Sequence, residues 1–242
     1  MSTKLFISII YLGLLLCCKS EAQSLMQGSI KGTGEIVSED ISLESLKGVN
    51  LGFDGDVVLI PGSSQKITLS GQKNVIDNIK REVKNGTWNI VYDKEVRNAK
   101  EVAVYVTLPT LEKIGLSGSG SIRTEGKFSS LNDLELQLSG SGDMSLEYDA
   151  HKTEVSVSGS GEINLMGSST SLAIAISGSG NVNAVELVSD NCVVHVSGSG
   201  DATVQATKNL ESTISGSGNI TYSGNATVTT KISGTGEVNK IN

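Results

Sequence analysis

The tetrapeptide Ser-Gly-Ser-Gly constrains this chain more than any other feature. It begins at Ser117, Ser139, Ser158, Ser177, Ser197 and Ser215 and returns as Ser-Gly-Thr-Gly at Ser233, in steps of 22, 19, 19, 20, 18 and 18 residues. A flexible linker has no reason to keep a period, whereas a stack of similar units does.

The parity of the flanking residues says what those units are. Alternate residues of a strand share a face. Counting from Val155, one face carries Val155, Val157, Gly159, Gly161, Ile163 and Leu165, and the other carries Ser156, Ser158, Ser160, Glu162 and Asn164. The glycines fall on the apolar face, so the motif is expected to continue the strand. The same pattern returns from Ile174 to Ala184 and from Cys192 to Val204.

Glycine in a strand costs roughly 0.5–1 kcal/mol relative to alanine, yet 14 of the 28 glycines sit in these motifs. Room is the expected requirement: at the corner of a narrow solenoid, inward side chains would meet the opposite wall. Stacked rungs would then place Leu116, Leu138, Val157, Ile176, Val196, Ile214 and Ile232 in one inward row. A second row would hold Ile122, Met144, Ile163, Val182, Ala202, Ile220 and Val238. Burying each aliphatic side chain gains about 1.5–3 kcal/mol, which outweighs the glycine penalty. The expected fold is an all-β, single-stranded parallel β-helix with 18–22 residues per rung. The Leu and Asn offsets of a leucine-rich repeat are absent.

Composition narrows the partners. The chain of 242 residues carries a net charge of −7, which disfavours nucleic acid and anionic membrane surfaces. Only three arginines and two histidines are present, so catalytic cations and bases are scarce, and two prolines leave long strands uninterrupted.

Residues 1–22 read as a signal peptide: Lys4, an apolar run from Leu5 to Leu16, and the small-residue site Ser20-Glu21-Ala22. Cleavage after Ala22 leaves 17 basic and 25 acidic residues, a charge of −8. The exported chain then has no transmembrane segment. A competing layout makes Cys18 a lipoprotein acceptor, since Leu16 is too large to precede Cys17 as a lipidated residue. Without the segment the chain keeps only Cys192, which lies on an apolar row and reads as a buried small hydrophobe.

The remaining chain, 23–242, is expected to be one domain with an irregular amino-terminal part, 23–110, ahead of the seven repeats in 111–242. One echo of the motif, Gly32-Thr33-Gly34-Glu35-Ile36, matches Gly234-Thr235-Gly236-Glu237-Val238. Strands are expected over Val57 to Ile60, Lys66 to Ser70, Thr87 to Tyr92 and Val102 to Leu108. A short helix is expected from Asn74 to Lys84, with Val75, Ile79 and Val83 on one face and Asn85-Gly86 as its stop. Irregular terminal units suit a cap.

Several segments together resemble the head GIN domain family of putative auto-transporter adhesins. They are the exported start, Phe53-Asp54-Gly55-Asp56-Val57, Asn85-Gly86-Thr87-Trp88, Leu108-Pro109-Thr110-Leu111 leading into Ile114-Gly115-Leu116, and units such as Gly161-Glu162-Ile163-Asn164. The resemblance implies a right-handed β-helix on an exported bacterial protein, with a role in adhesion or in the envelope. It supplies no catalytic residues, and the large membrane barrel of an auto-transporter is not expected within these 242 residues.

No catalytic, cofactor or metal site emerges from the motifs. The glycines of Gly159-Ser160-Gly161 are two apart, whereas a nucleophile elbow needs them four apart. Each glycine pair precedes a strand, and a phosphate cradle needs a helix there. His151 and His195 read as solvated. A polysaccharide lyase or hydrolase, the alternative reading, would need paired carboxylates or a metal with a base. A calcium-binding β-helix would need nine-residue repeats, which Gly198-Ser199-Gly200-Asp201 only faintly resembles.

The residue after each motif points outward: Ser121, then Asp143, Glu162, Asn181, Asp201, Asn219 and Glu237. Stacked at about 4.8 Å per rung they form one polar file, the candidate surface for a glycan, another cell-surface component or a second copy of the chain.

Overall fold

The computed structural model describes residues 28–241. The signal segment, Cys18 and the cleavage after Ala22 lie outside them. In chain order the first elements are β1 (Ile30–Lys31), β2 (Ile36–Ile41), β3 (Gly48–Leu51), β4 (Asp56–Pro61), β5 (Lys66–Gln72) and α1 (Lys73–Ile76). Then come β6 (Val83–Lys84), β7 (Thr87–Ile90), β8 (Val96–Arg97), β9 (Ala103–Leu108), β10 (Lys113–Leu116), β11 (Ser121–Thr124) and β12 (Phe128–Leu138). The rest are β13 (Asp143–Val157), β14 (Glu162–Gly178), β15 (Asn181–Gly198), β16 (Ala202–Gly216), β17 (Ile220–Ser223), β18 (Thr227–Gly234) and β19 (Val238–Lys240). The fold is a parallel β-solenoid with one short helix.

Both inward rows form as the parity requires. Leu116, Leu138, Val157, Ile176, Val196, Ile214 and Ile232 are consecutive ladder partners along one wall. Ile122, Met144, Ile163, Val182, Ala202, Ile220 and Val238 are consecutive partners along the next. All are buried except the last of each row.

The corner differs from expectation in two respects. Parity survives it but the strand does not: the last two residues of every motif lie outside the strands, as Ser160 and Gly161 do between β13 and β14. The crowding that demands glycine also runs along the stack and not across it. A Cβ on Gly161 would sit 2.0 Å from the carbonyl oxygen of Gly142, one rung back. That oxygen is there because corner carbonyls accept from the following rung, as Gly161 does from the Asn181 N–H at 3.0 Å. Gly198 adds a φ of 142°, which a side chain rarely allows.

The amino-terminal part belongs to the same stack. The β3–β4 rung is sandwiched: Val49 and Val57 pair with Trp88 of β7 and Val104 of β9 on one side. On the other, Leu51 and Val57 pair with Leu116 of β10 and Ile122 of β11. Chain order and stacking order therefore disagree. Beyond β9 the wall is closed by antiparallel β5 and β2. The Gly32-Thr33-Gly34 echo leads into β2 and makes no corner of its own.

The expected helix from Asn74 to Lys84 shortens to α1. Val83–Lys84 forms β6, antiparallel to β7. Asn85 and Gly86 have φ of 51° and 74° and make the two-residue hairpin turn that Asn-Gly favours. Trp88 holds this arrangement, fully buried and donating Nε1–H to the Lys80 carbonyl at 2.8 Å.

Candidate functional surface

The polar file is real as geometry. Asp143, Glu162 and Asn181 are direct ladder partners, and Asp201, Asn219 and Glu237 continue it, each one residue before a paired position. Ser121 precedes Asp143, and its hydroxyl donates to Asp56 of β4, so the file begins one rung earlier than the motifs do. All six expected residues face outward, Asn219 half-buried and the others exposed.

The file has two chemically distinct halves. From Asn181 onward it is knitted together: Asn181 Oδ1 accepts the Asp201 N–H at 3.0 Å, and Asp201 Oδ1 accepts the Asn219 N–H at 2.7 Å. Asn219 Oδ1 in turn accepts the Glu237 N–H at 3.1 Å. Asp143 and Glu162 stack as neighbouring carboxylates, and among the described residues Glu162 accepts only from Asn164 Nδ2 at 2.9 Å on its own strand. This end keeps free acceptor capacity for hydroxyl donors.

Serine files flank the corner and are exposed on every rung. In the last pair Thr235 Oγ1 donates to Ser217 Oγ at 3.1 Å. A file of hydroxyls beside amides and carboxylates offers donors and acceptors on a flat, rigid wall, with no aromatic ring within it.

Groups suited to catalysis are elsewhere and apart. His195 is exposed between Ala175 and Thr213 in the ladder, and His151 is exposed on β13. Cys192 is buried at 1% exposure, and burial pushes its thiol up to about 11, the opposite of an activated nucleophile. Among the described residues no group of three or more His, Cys, Asp or Glu side chains is placed to hold a metal ion.

One acidic pair escaped the sequence reading. A hydrogen bond from carboxyl to carboxyl with Asp56, and the charge of Asp56, hold Glu101 above the usual carboxylate range. Beside them Tyr92 stacks on Phe53 with ring centroids 4.1 Å apart. Burial and the charge of Asp54 raise Tyr92 to about 12. The pair is far apart in sequence, and only the stacking of β9 on β4 brings it together.

The profile of the family described as "Putative auto-transporter adhesin, head GIN domain" matches residues 45–226. The fold is similar to a crystal structure of a putative adhesin from Bacteroides fragilis NCTC 9343, at 25% identity and a TM-score of 0.83, covering 88% of this chain and 100% of that one. It is similar, with the same coverages, to a putative adhesin from Parabacteroides distasonis ATCC 8503, at 24% identity and a TM-score of 0.73. A putative lipid binding protein from the same strain is similar at 21% identity and a TM-score of 0.74, again over 88% and 100% of the two chains. No curated protein matches the chain. No helix among the described residues is long and apolar enough to cross a membrane.

Proposed function

Since the chain belongs to the head GIN domain family of putative auto-transporter adhesins, we propose that it is an exported, non-enzymatic module whose corner file binds a glycan or another cell-surface component. The observation that carries this reading is the in-register run from Asp143 to Glu237, exposed along a wall that the buried rows hold rigid. A repeated weak contact gains strength through multiplicity, and the rung spacing supplies the repeat.

Hydrolysis fits less well. Carboxylates that work on a glycosidic bond stand at least about 5 Å apart, with room for the sugar between them, whereas Asp56 lies close enough to Glu101 to raise its carboxyl. The test is a glycan array run beside a depolymerisation assay. Binding without product supports the module; released oligosaccharide overturns it in favour of a carbohydrate-active enzyme.

A further inference from the structure

The two ends of the stack are built differently. At the amino-terminal end β2 and β5 close one wall, β6 closes the other, and α1 plugs the interior with Val75 and Ile76, both at 0% exposure. At the carboxy-terminal end, among the described strands, β18 pairs only with β16 and β19 only with β17. Ile232 is 45% exposed although Ile214 beneath it is fully buried, and every residue of β18 except Val228 is exposed. A bare edge of this length is a template for another strand.

We propose that this edge pairs with the same edge of a second copy, β18 antiparallel to β18, about a twofold axis through Thr230. The side-chain pattern selects that register. The inward residues of β18 are Val228, Thr230 and Ile232, which continue the buried positions Leu210, Ser212 and Ile214. With Thr230 on the axis, Val228 of each copy faces Ile232 of the other and the two Thr230 hydroxyls meet. With Lys231 on the axis instead, like charges would oppose each other and Ile232 would face a threonine.

Charge supports the same pairing. On the outer face Lys231 of one copy lies opposite Thr229 of the other, and Glu211 is the ladder partner of that Thr229. Lys231 then reaches over one threonine to Glu211, a span of two strand spacings or about 10 Å that the two long side chains bridge between them. Neither Lys231 nor Glu211 has an ion-pair partner among the described residues. The twofold axis makes this contact twice. Because the opposite end is capped, association closes at two copies and does not run on into a filament.

Sedimentation equilibrium over a concentration series is the test, with circular dichroism to confirm folding of each variant. The wild-type protein should be a dimer. Lys231→Glu and Glu211→Lys should each weaken association about tenfold or more by setting like charges across the seam, and the double exchange should restore it. A wild-type monomer would overturn the proposal and leave the edge to a different polypeptide. A dimer indifferent to both single reversals, or a species that grows beyond two copies, would overturn it as well.

Discussion

The carboxylate of Asp201 accepts the backbone N–H of Asn219 at 2.7 Å, so an outward side chain on one rung fixes the corner of the next. From Asn181 to Asn219 the residue after the motif is thus part of the framework as well as part of the exposed face.

This divides the file by what substitution should do. Asp201→Ala removes the acceptor for both the backbone and the side-chain amide of Asn219, and should lower stability by about 1–2 kcal/mol. Glu162→Gln, whose recorded partner is Asn164 on its own strand, should change stability by less than about 0.5 kcal/mol. Urea titration of both variants checks the difference. For a binding assay, Asp143→Ser with Glu162→Gln is therefore the cleaner pair, because a loss of binding there cannot be blamed on a loosened corner.

At the corner itself, a Cβ on Gly180 would lie 2.7 Å from Val157 Cγ1 and 2.8 Å from the Gly161 carbonyl oxygen. Gly180→Val should lower stability by about 1–3 kcal/mol through overpacking. Ser179→Val, one residue away and exposed, should be nearly neutral. Equal melting temperatures would show that the two faces were misassigned.

Stability should also fall on the alkaline side. Burial raises the Cys192 thiol from 9.0 to about 11. Below pH 9 the group is neutral in both folded and unfolded chains; between about pH 9 and 11 only the unfolded chain gives up the proton. The contribution is therefore complete at neutral pH and is lost as pH rises, by about 1–3 kcal/mol across the window. Tyr92, raised to about 12, acts in the same direction at higher pH. Cys192→Val should flatten the slope measured by denaturant titration between pH 9 and 11, and an unchanged slope would assign it to other groups.

Export is checked by mass. The secreted form should begin at Gln23, as the Ser20-Glu21-Ala22 site directs. A diacylated Cys18 would instead tether the protein to a membrane by its lipid.

The repeats were legible because burial has a period of two and the corner preserves it: every partner in both inward rows follows from the spacing of the motifs. The rung at β3–β4 was harder to read, since Phe53 and Asp54 stand where later rungs have Gly118 and Ser119. Its signal lay in Leu51, Gly55 and Val57, spaced as Leu116, Gly120 and Ile122 are. Val75, Ile79 and Val83 misled because a spacing of four is equally compatible with a helix followed by a hairpin. The Asp56–Glu101 contact and the knitting of Asn181 to Glu237 join one rung to another, and the glycine motif does not announce either.

The sandwiched position of the β3–β4 rung sets the timing of assembly. Later rungs close over 18–22 residues, whereas Leu51 must wait for Leu116, 65 residues on. Closing the longer loop costs more entropy, although the penalty grows only logarithmically, and long-range pairing slows folding. Closing this seam is therefore expected to limit the rate of folding. Leu51→Ala should then slow refolding, while Ile214→Ala should chiefly speed unfolding, a contrast that stopped-flow kinetics resolves.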